Sequence, residues 1–167
     1  MLLNFLDRQP RRLLALVCAA CIAMLVFGLF LQHVVGLEPC PMCIVQRYAL
    51  VLVMIVAGIT AFFPCKSMLV AGAGLMTVLS GLGGFVAARQ SFLQWYPPEI
   101  ASCGRDLYGM IETFPLKRAI PMIFKGSGDC TKIDWTFLGL SIANWSFVCF
   151  VVIALLGLTL VFRQLKK

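Results

Sequence analysis

An all-α membrane protein is the fold class this sequence predicts: a four-helix transmembrane bundle with one long loop on the outer side. Three observations predict it. Of 167 residues, 61% are hydrophobic and only 13% charged, whereas an average soluble domain is about 25% charged. Four stretches stay apolar for the roughly 20 residues that a bilayer demands. Between the third and the fourth lies a segment too polar to share that environment.

The first span covers about residues 13–31 and carries no charge. Arg8, Arg11 and Arg12 precede it, as basic residues precede a secretory signal. A secretory core is only about 7–15 apolar residues long, and this run continues well past that. Ala19-Ala20-Cys21 is followed by further apolar sequence, which argues against lipoprotein processing. His33 reads as a polar cap where the span leaves the membrane.

The second span begins near Cys43 and continues to 63, with Gln46 and Arg47 in its opening turns. The third covers 68–88 and holds Gly72, Gly74, Gly81, Gly83 and Gly84. Ser80, Gly84 and Ala88 recur at four-residue spacing, which lets helix backbones approach where lipid gives no drive to associate. The fourth runs from 142 to 162. Loops 32–42 and 89–141 then lie on one side, and residues 1–167 form a single integral membrane domain.

The net charge of +7 fits this topology and needs no nucleic acid, because no soluble basic domain is visible. The 14 Lys and Arg divide evenly between the two sides. Density breaks the tie. Arg8, Arg11, Arg12, Lys66, Arg163, Lys166 and Lys167 crowd short segments against the membrane, where positive charge marks the cytoplasmic face. Of the others, Arg47 opens the second span and six spread over the long loop. Both termini are therefore expected in the cytoplasm.

That orientation sorts the 8 cysteines. Cys40, Cys43, Cys103 and Cys130 fall outside, where disulfides persist. Cys18, Cys21 and Cys149 lie within spans and read as small apolar packing residues. Cys65 faces the reducing side. Four outer cysteines allow three pairings; the local one, Cys40–Cys43 with Cys103–Cys130, is expected.

Cys40-Pro41-Met42-Cys43 is the motif with chemistry in it. Pro41 suits a first helical position, which puts Cys43 in the opening turn of the second span. Free backbone N–H groups and the positive end of the helix dipole stabilise an anion there, and a thiolate is such an anion. Arg47 stands four residues on, on the same helix face. It can hold a thiolate or a partially reduced electron acceptor; read alone, it would be an interfacial anchor. As a structural staple the pair is poor, because closing so short a ring removes little chain entropy. Zinc is not expected: no second close pair of ligands is present, and His33 is the only histidine. The second outer pair sits in the long loop. Cys103 follows Trp95-Tyr96-Pro97-Pro98, and Cys130 follows Gly126-Ser127-Gly128-Asp129, a flexible approach that suits disulfide exchange.

These features resemble the DsbB family of bacterial inner-membrane disulfide-forming proteins. The resemblance rests on four spans, the outer Cys-x-x-Cys opening the second helix, and Arg47 four residues later. The strings "LQHVVGLEPCPMCIVQRYAL", "LQWYPPEIASCG" and "GSGDCTKIDWTFLGLSIANW" carry it over most of the chain. The resemblance implies a redox enzyme of the cell inner membrane whose loops 32–42 and 89–141 are periplasmic. It implies a periplasmic DsbA-like thiol oxidase as partner and a membrane quinone, ubiquinone or menaquinone, as electron acceptor. Cys103 would then form the mixed disulfide with the partner. Cys130 would attack Cys40, and Cys43 beside Arg47 would reduce the quinone. The four other cysteines stand outside the family's pattern of two outer pairs. Two alternatives remain at this point. One is a non-enzymatic scaffold or metal-binding protein with structural disulfides. The other is a relative of vitamin K epoxide reductase, whose redox motif falls late in the chain rather than at the second span.

Overall fold

A computed structural model describes residues 10–37, 39–63, 65–97, 131, 133 and 135–166. Four long helices form the fold: α1 (Pro10–His33), α2 (Pro41–Phe62), α3 (Lys66–Trp95) and α4 (Ile142–Leu165). Each is long and apolar enough to cross a membrane. A two-stranded antiparallel hairpin, β1 (Thr136–Phe137) and β2 (Leu140–Ser141), leads directly into α4.

Local chemistry sets the helix ends. Cys40 caps α2, its sulfur accepting the backbone N–H of Cys43 at 3.4 Å, and Pro41 follows at the first helical position. Proline suits that position because its missing N–H would have had no intrahelical acceptor. Ser141 caps α4 by accepting from the Asn144 N–H at 3.4 Å. Its hydroxyl also donates to Gln94 Oε1 at 2.6 Å, which ties the start of α4 to the end of α3. His33 is the last residue of α1.

The third helix runs on to Trp95 rather than ending near 88. Arg89 and Gln90 end the apolar run but not the helix, because Gln90 finds polar partners inside the bundle. The hairpin likewise lies in what sequence alone assigns to a structureless loop. Its turn residues Leu138 and Gly139 both have positive φ, 52° and 78°. Two-residue hairpin loops favour such turns because they match the strand twist.

The helices pack in chain order, α1 on α2, α2 on α3, and most extensively α3 on α4. Leu14, Val53, Met76, Phe150 and Leu160 are almost fully buried along this core. Small residues allow the close approach of α3 and α4. A Cβ added at Gly83 would stand 2.5 Å from the Phe150 ring, and one at Gly157 would meet Thr77 and Ala73. Gly74 and Gly81 face open space. The outward surface is apolar as well: Leu16, Val26, Ile59, Val78, Leu82 and Leu155 are all exposed. A soluble monomer does not expose apolar surface so continuously; hydrocarbon is the solvent that satisfies it. By contrast α1 and α4 scarcely touch, and a cavity opens along that seam.

Candidate functional site

The cavity lies at the end of the bundle where α1 and α3 finish and α2 and α4 begin. Its volume is about 630 Å³. Met24, Leu25, Leu31, Leu50, Ile142 and Phe150 make most of its wall apolar. From Cys40 to Leu50, both on the cavity wall, the chain along α2 rises roughly 15 Å. Among the polar groups against this wall are Gln32, Cys40, Cys43, Gln46, Arg47, Gln90 and Gln94, with the hydroxyls of Ser141 and Ser146. A largely apolar pocket with few convergent polar groups is the usual form of a small-molecule site.

Cys40 and Cys43 are brought together by the first turn of α2. Their sulfurs are 3.1 Å apart, about 1 Å beyond the length of a covalent disulfide. Small side-chain rotations separate this contact from a bond. Both cysteines rest on a small apolar cluster with Met42, Val86 and Leu93, so the pair is supported from α3. The helix N–H that sequence reading assigns to Cys43 instead points to the sulfur of Cys40. The Cys43 sulfur has a different donor: the Nε2 amide of Gln90 lies 3.2 Å from it and 3.3 Å from Cys40 Sγ. Gln90 Oε1 accepts from Gln46 Nε2 at 2.7 Å and receives the Cys43 thiol at 3.6 Å.

Arg47 lines the same cavity as the two sulfurs. Its guanidinium does not reach out to water along the helix. Nη1 donates to Gln32 Oε1 at 2.5 Å and Nη2 to the Gly28 carbonyl at 3.1 Å, both on α1. Among the described residues it is the one charged side chain on the cavity wall. Another wall is aromatic. Trp135 stacks on Phe137 with centroids 6.0 Å apart and meets Phe27 edge-on at 5.8 Å. Trp145 fixes this group by donating its indole N–H to the Phe137 carbonyl at 3.0 Å.

Of the five sequence-predicted site residues, Cys40, Cys43 and Arg47 thus converge on one cavity. Cys103 and Cys130 lie outside the described residues. Sequence reading missed Gln32, Gln46, Gln90 and Gln94. The available signal was an amide set in or beside an otherwise apolar span, since such a group needs a partner. The inner cysteines behave as packing residues, Cys21 fully buried and Cys18 partly so. Cys149 departs from that description in part, because it also lines the cavity. No cluster of three or more metal-ligating side chains occurs among the described residues.

Comparisons with known proteins point one way. A family model described as "Disulfide bond formation protein DsbB" matches residues 10–160. A Polaromonas sp. (strain JS666 / ATCC BAA-500) protein named Disulfide bond formation protein B is 77% identical over 167 residues, covering 100% of this chain and 99% of its own. The Polaromonas naphthalenivorans (strain CJ2) protein of that name is 75% identical, with the same coverage. That of Albidiferax ferrireducens is 66% identical over 164 residues, covering 98% of this chain and 94% of its own.

Proposed function

Because the chain belongs to the DsbB family, multi-pass membrane proteins of disulfide bond formation, we propose that it is a quinone-dependent thiol:disulfide oxidoreductase that re-oxidises a periplasmic DsbA-like protein. The observation that carries this reading is the shared cavity: Cys40, Cys43 and Arg47 line one apolar space of about 630 Å³. An apolar wall suits a lipid-soluble ring and its tail. Arg47 offers N–H donors that suit carbonyl oxygens.

Electrons would enter at the outer pair. A thiolate of the reduced partner attacks Cys103, the Cys103–Cys130 bond breaks, and its electron pair leaves on Cys130. The partner's second thiol then attacks the mixed disulfide, so the partner departs oxidised. Cys130 attacks Cys40, breaking the Cys40–Cys43 bond and leaving a thiolate at Cys43; Cys103 then releases Cys40 by reclosing on Cys130. The net result moves two electrons and two protons from the partner to Cys40 and Cys43. A quinone held by Arg47 and the cavity wall, ubiquinone or menaquinone, would supply the acceptor for both electrons and both protons.

A bilayer-soluble oxidant meets an energetic need. A DsbA-like partner at about −120 mV cannot be re-oxidised by thiol buffers of lower potential, and each ~30 mV is worth about 1.4 kcal/mol in this couple. We place the protein in the bacterial inner membrane with both termini cytoplasmic, on the strength of the Lys and Arg crowded at that end.

The test mixes purified protein with a reduced DsbA-like dithiol and a soluble quinone, and follows quinone absorbance. Catalytic, stoichiometric quinone loss with partner oxidation is expected. No turnover would leave the outer cysteines as structural staples.

A further inference from the structure

The Gln46–Gln90 pair has no place in the route above, yet both side chains are about 96% buried, with exposures of 4% each. Gln90 comes from α3 and Gln46 from α2, and their amides meet at 2.7 Å. The direction of that bond matters. Gln46 Nε2 occupies the Gln90 carbonyl, so the Gln90 amide is turned with Nε2 toward both sulfurs, at 3.3 and 3.2 Å. Rotated by half a turn, Gln90 would aim oxygen lone pairs at the sulfurs and set its own N–H against that of Gln46. The first orientation brings N–H to both sulfurs and keeps Oε1 farther off, at 3.6 Å from Cys43 Sγ, so it favours a sulfur anion more than the second does. A hydrogen bond to the charged form of a group favours that form.

We infer that Gln46 and Gln90 form an amide relay that presents N–H to the Cys40–Cys43 sulfurs and stabilises the thiolate left when their disulfide opens. In that opening a thiolate attacks one sulfur, the S–S bond breaks, and the electron pair leaves on the other sulfur. The relay donates to the leaving sulfur. Gln90 touches the reacting atoms; Gln46 is a positioning residue that acts through Gln90. Arg47, from α2, is the charged side chain that shares the cavity, and the α1 and α4 walls add none among the described residues. Gln90 therefore supplies the sulfurs from α3, whereas Arg47 is held by α1.

This inference rests on Cys40–Cys43 being the redox pair, and the experiment separates the two. Cys103 and Cys130 are changed to serine, and the remaining pair is titrated in glutathione buffers. It is then reduced and alkylated across a pH series, with peptide mass spectrometry reading Cys40 and Cys43 apart from Cys65. Gln90→Met is expected to raise the alkylation midpoint of the pair by about one pH unit, a roughly tenfold slower reaction below the midpoint. Gln46→Met should shift it the same way by less. Gln90→Glu should shift it further than Gln90→Met, although it keeps the size and polarity that a packing role would need. Unchanged midpoints in Gln90→Met, or in Gln46→Met should the first not fold, would overturn the relay while leaving the redox pair intact. A parent pair that fails to cycle in the glutathione titration would remove the redox reading, and the relay with it.

Discussion

Arg47 Nη1 donates to Gln32 Oε1 at 2.5 Å, so the one cation on the cavity wall among the described residues is bound to α1 while its backbone belongs to α2. A second bond to the Gly28 carbonyl fixes the guanidinium plane. A single ammonium cannot reproduce this fork. Arg47→Ala is therefore expected to raise the quinone KM on the order of tenfold, the size of one lost hydrogen bond to a charged group. Arg47→Lys should recover only part of it. Steady-state kinetics over a quinone series checks this; an unchanged KM in both variants would remove Arg47 from the site.

The cysteines predict a division of labour. Cys43→Ser leaves a hydroxyl, which cannot close a disulfide, so quinone reduction should fall to background. Cys130→Ser should instead leave Cys103 a lone thiol, which attacks the disulfide of an added oxidised DsbA-like partner and forms a covalent adduct, the partner's second sulfur leaving as thiolate and no Cys130 remaining to resolve the adduct from this side. Absorbance assays and non-reducing gels read the two outcomes. Full turnover by Cys43→Ser, or no adduct with Cys130→Ser, contradicts the electron route.

Much of this architecture was legible in the sequence because lipid demands a simple pattern. Long uncharged runs give helices, and Pro41 with its flanking cysteines marks where α2 starts. What escaped has physical reasons. The extension of α3 to Trp95 depends on Gln90 being satisfied by tertiary partners, which no local pattern records. The 136–141 hairpin turns on Leu138-Gly139, and leucine at φ 52° lacks the Asn-Gly signal that announces such turns. The direction of the Cys43 N–H toward Cys40 is a matter of side-chain rotamer, and sequence spacing does not specify it.

Topology can be read from Cys65, which is exposed beside the start of α3, at the opposite end of that helix from Gln90. With Cys40, Cys43, Cys103 and Cys130 changed to serine, a membrane-impermeant maleimide added to intact spheroplasts should leave Cys65 unlabelled. Permeabilising the inner membrane should then label it fully. Labelling before permeabilisation would invert the orientation and put the Cys40–Cys43 pair in the cytoplasm, where the proposed partner is absent.

Packing of α3 on α4 gives a prediction independent of chemistry. A methyl group at Gly83 would fall 2.5 Å from ring atoms of Phe150, a residue that is itself 1% exposed, so the ring must shift to admit it. Overfilling a packed core costs about 1–3 kcal/mol, so Gly83→Ala should lower the thermal midpoint in detergent. Gly81, two residues away on the same helix, meets nothing within 4 Å. Gly81→Ala should be neutral or stabilise by up to roughly 1 kcal/mol through helix propensity. Phe150→Leu should soften the clash, so the Gly83→Ala, Phe150→Leu double variant is expected to be more stable than the sum of the single changes. Additive effects in that double-mutant cycle would mean that the two residues do not touch, and the close approach of α3 and α4 at this level would have to be abandoned.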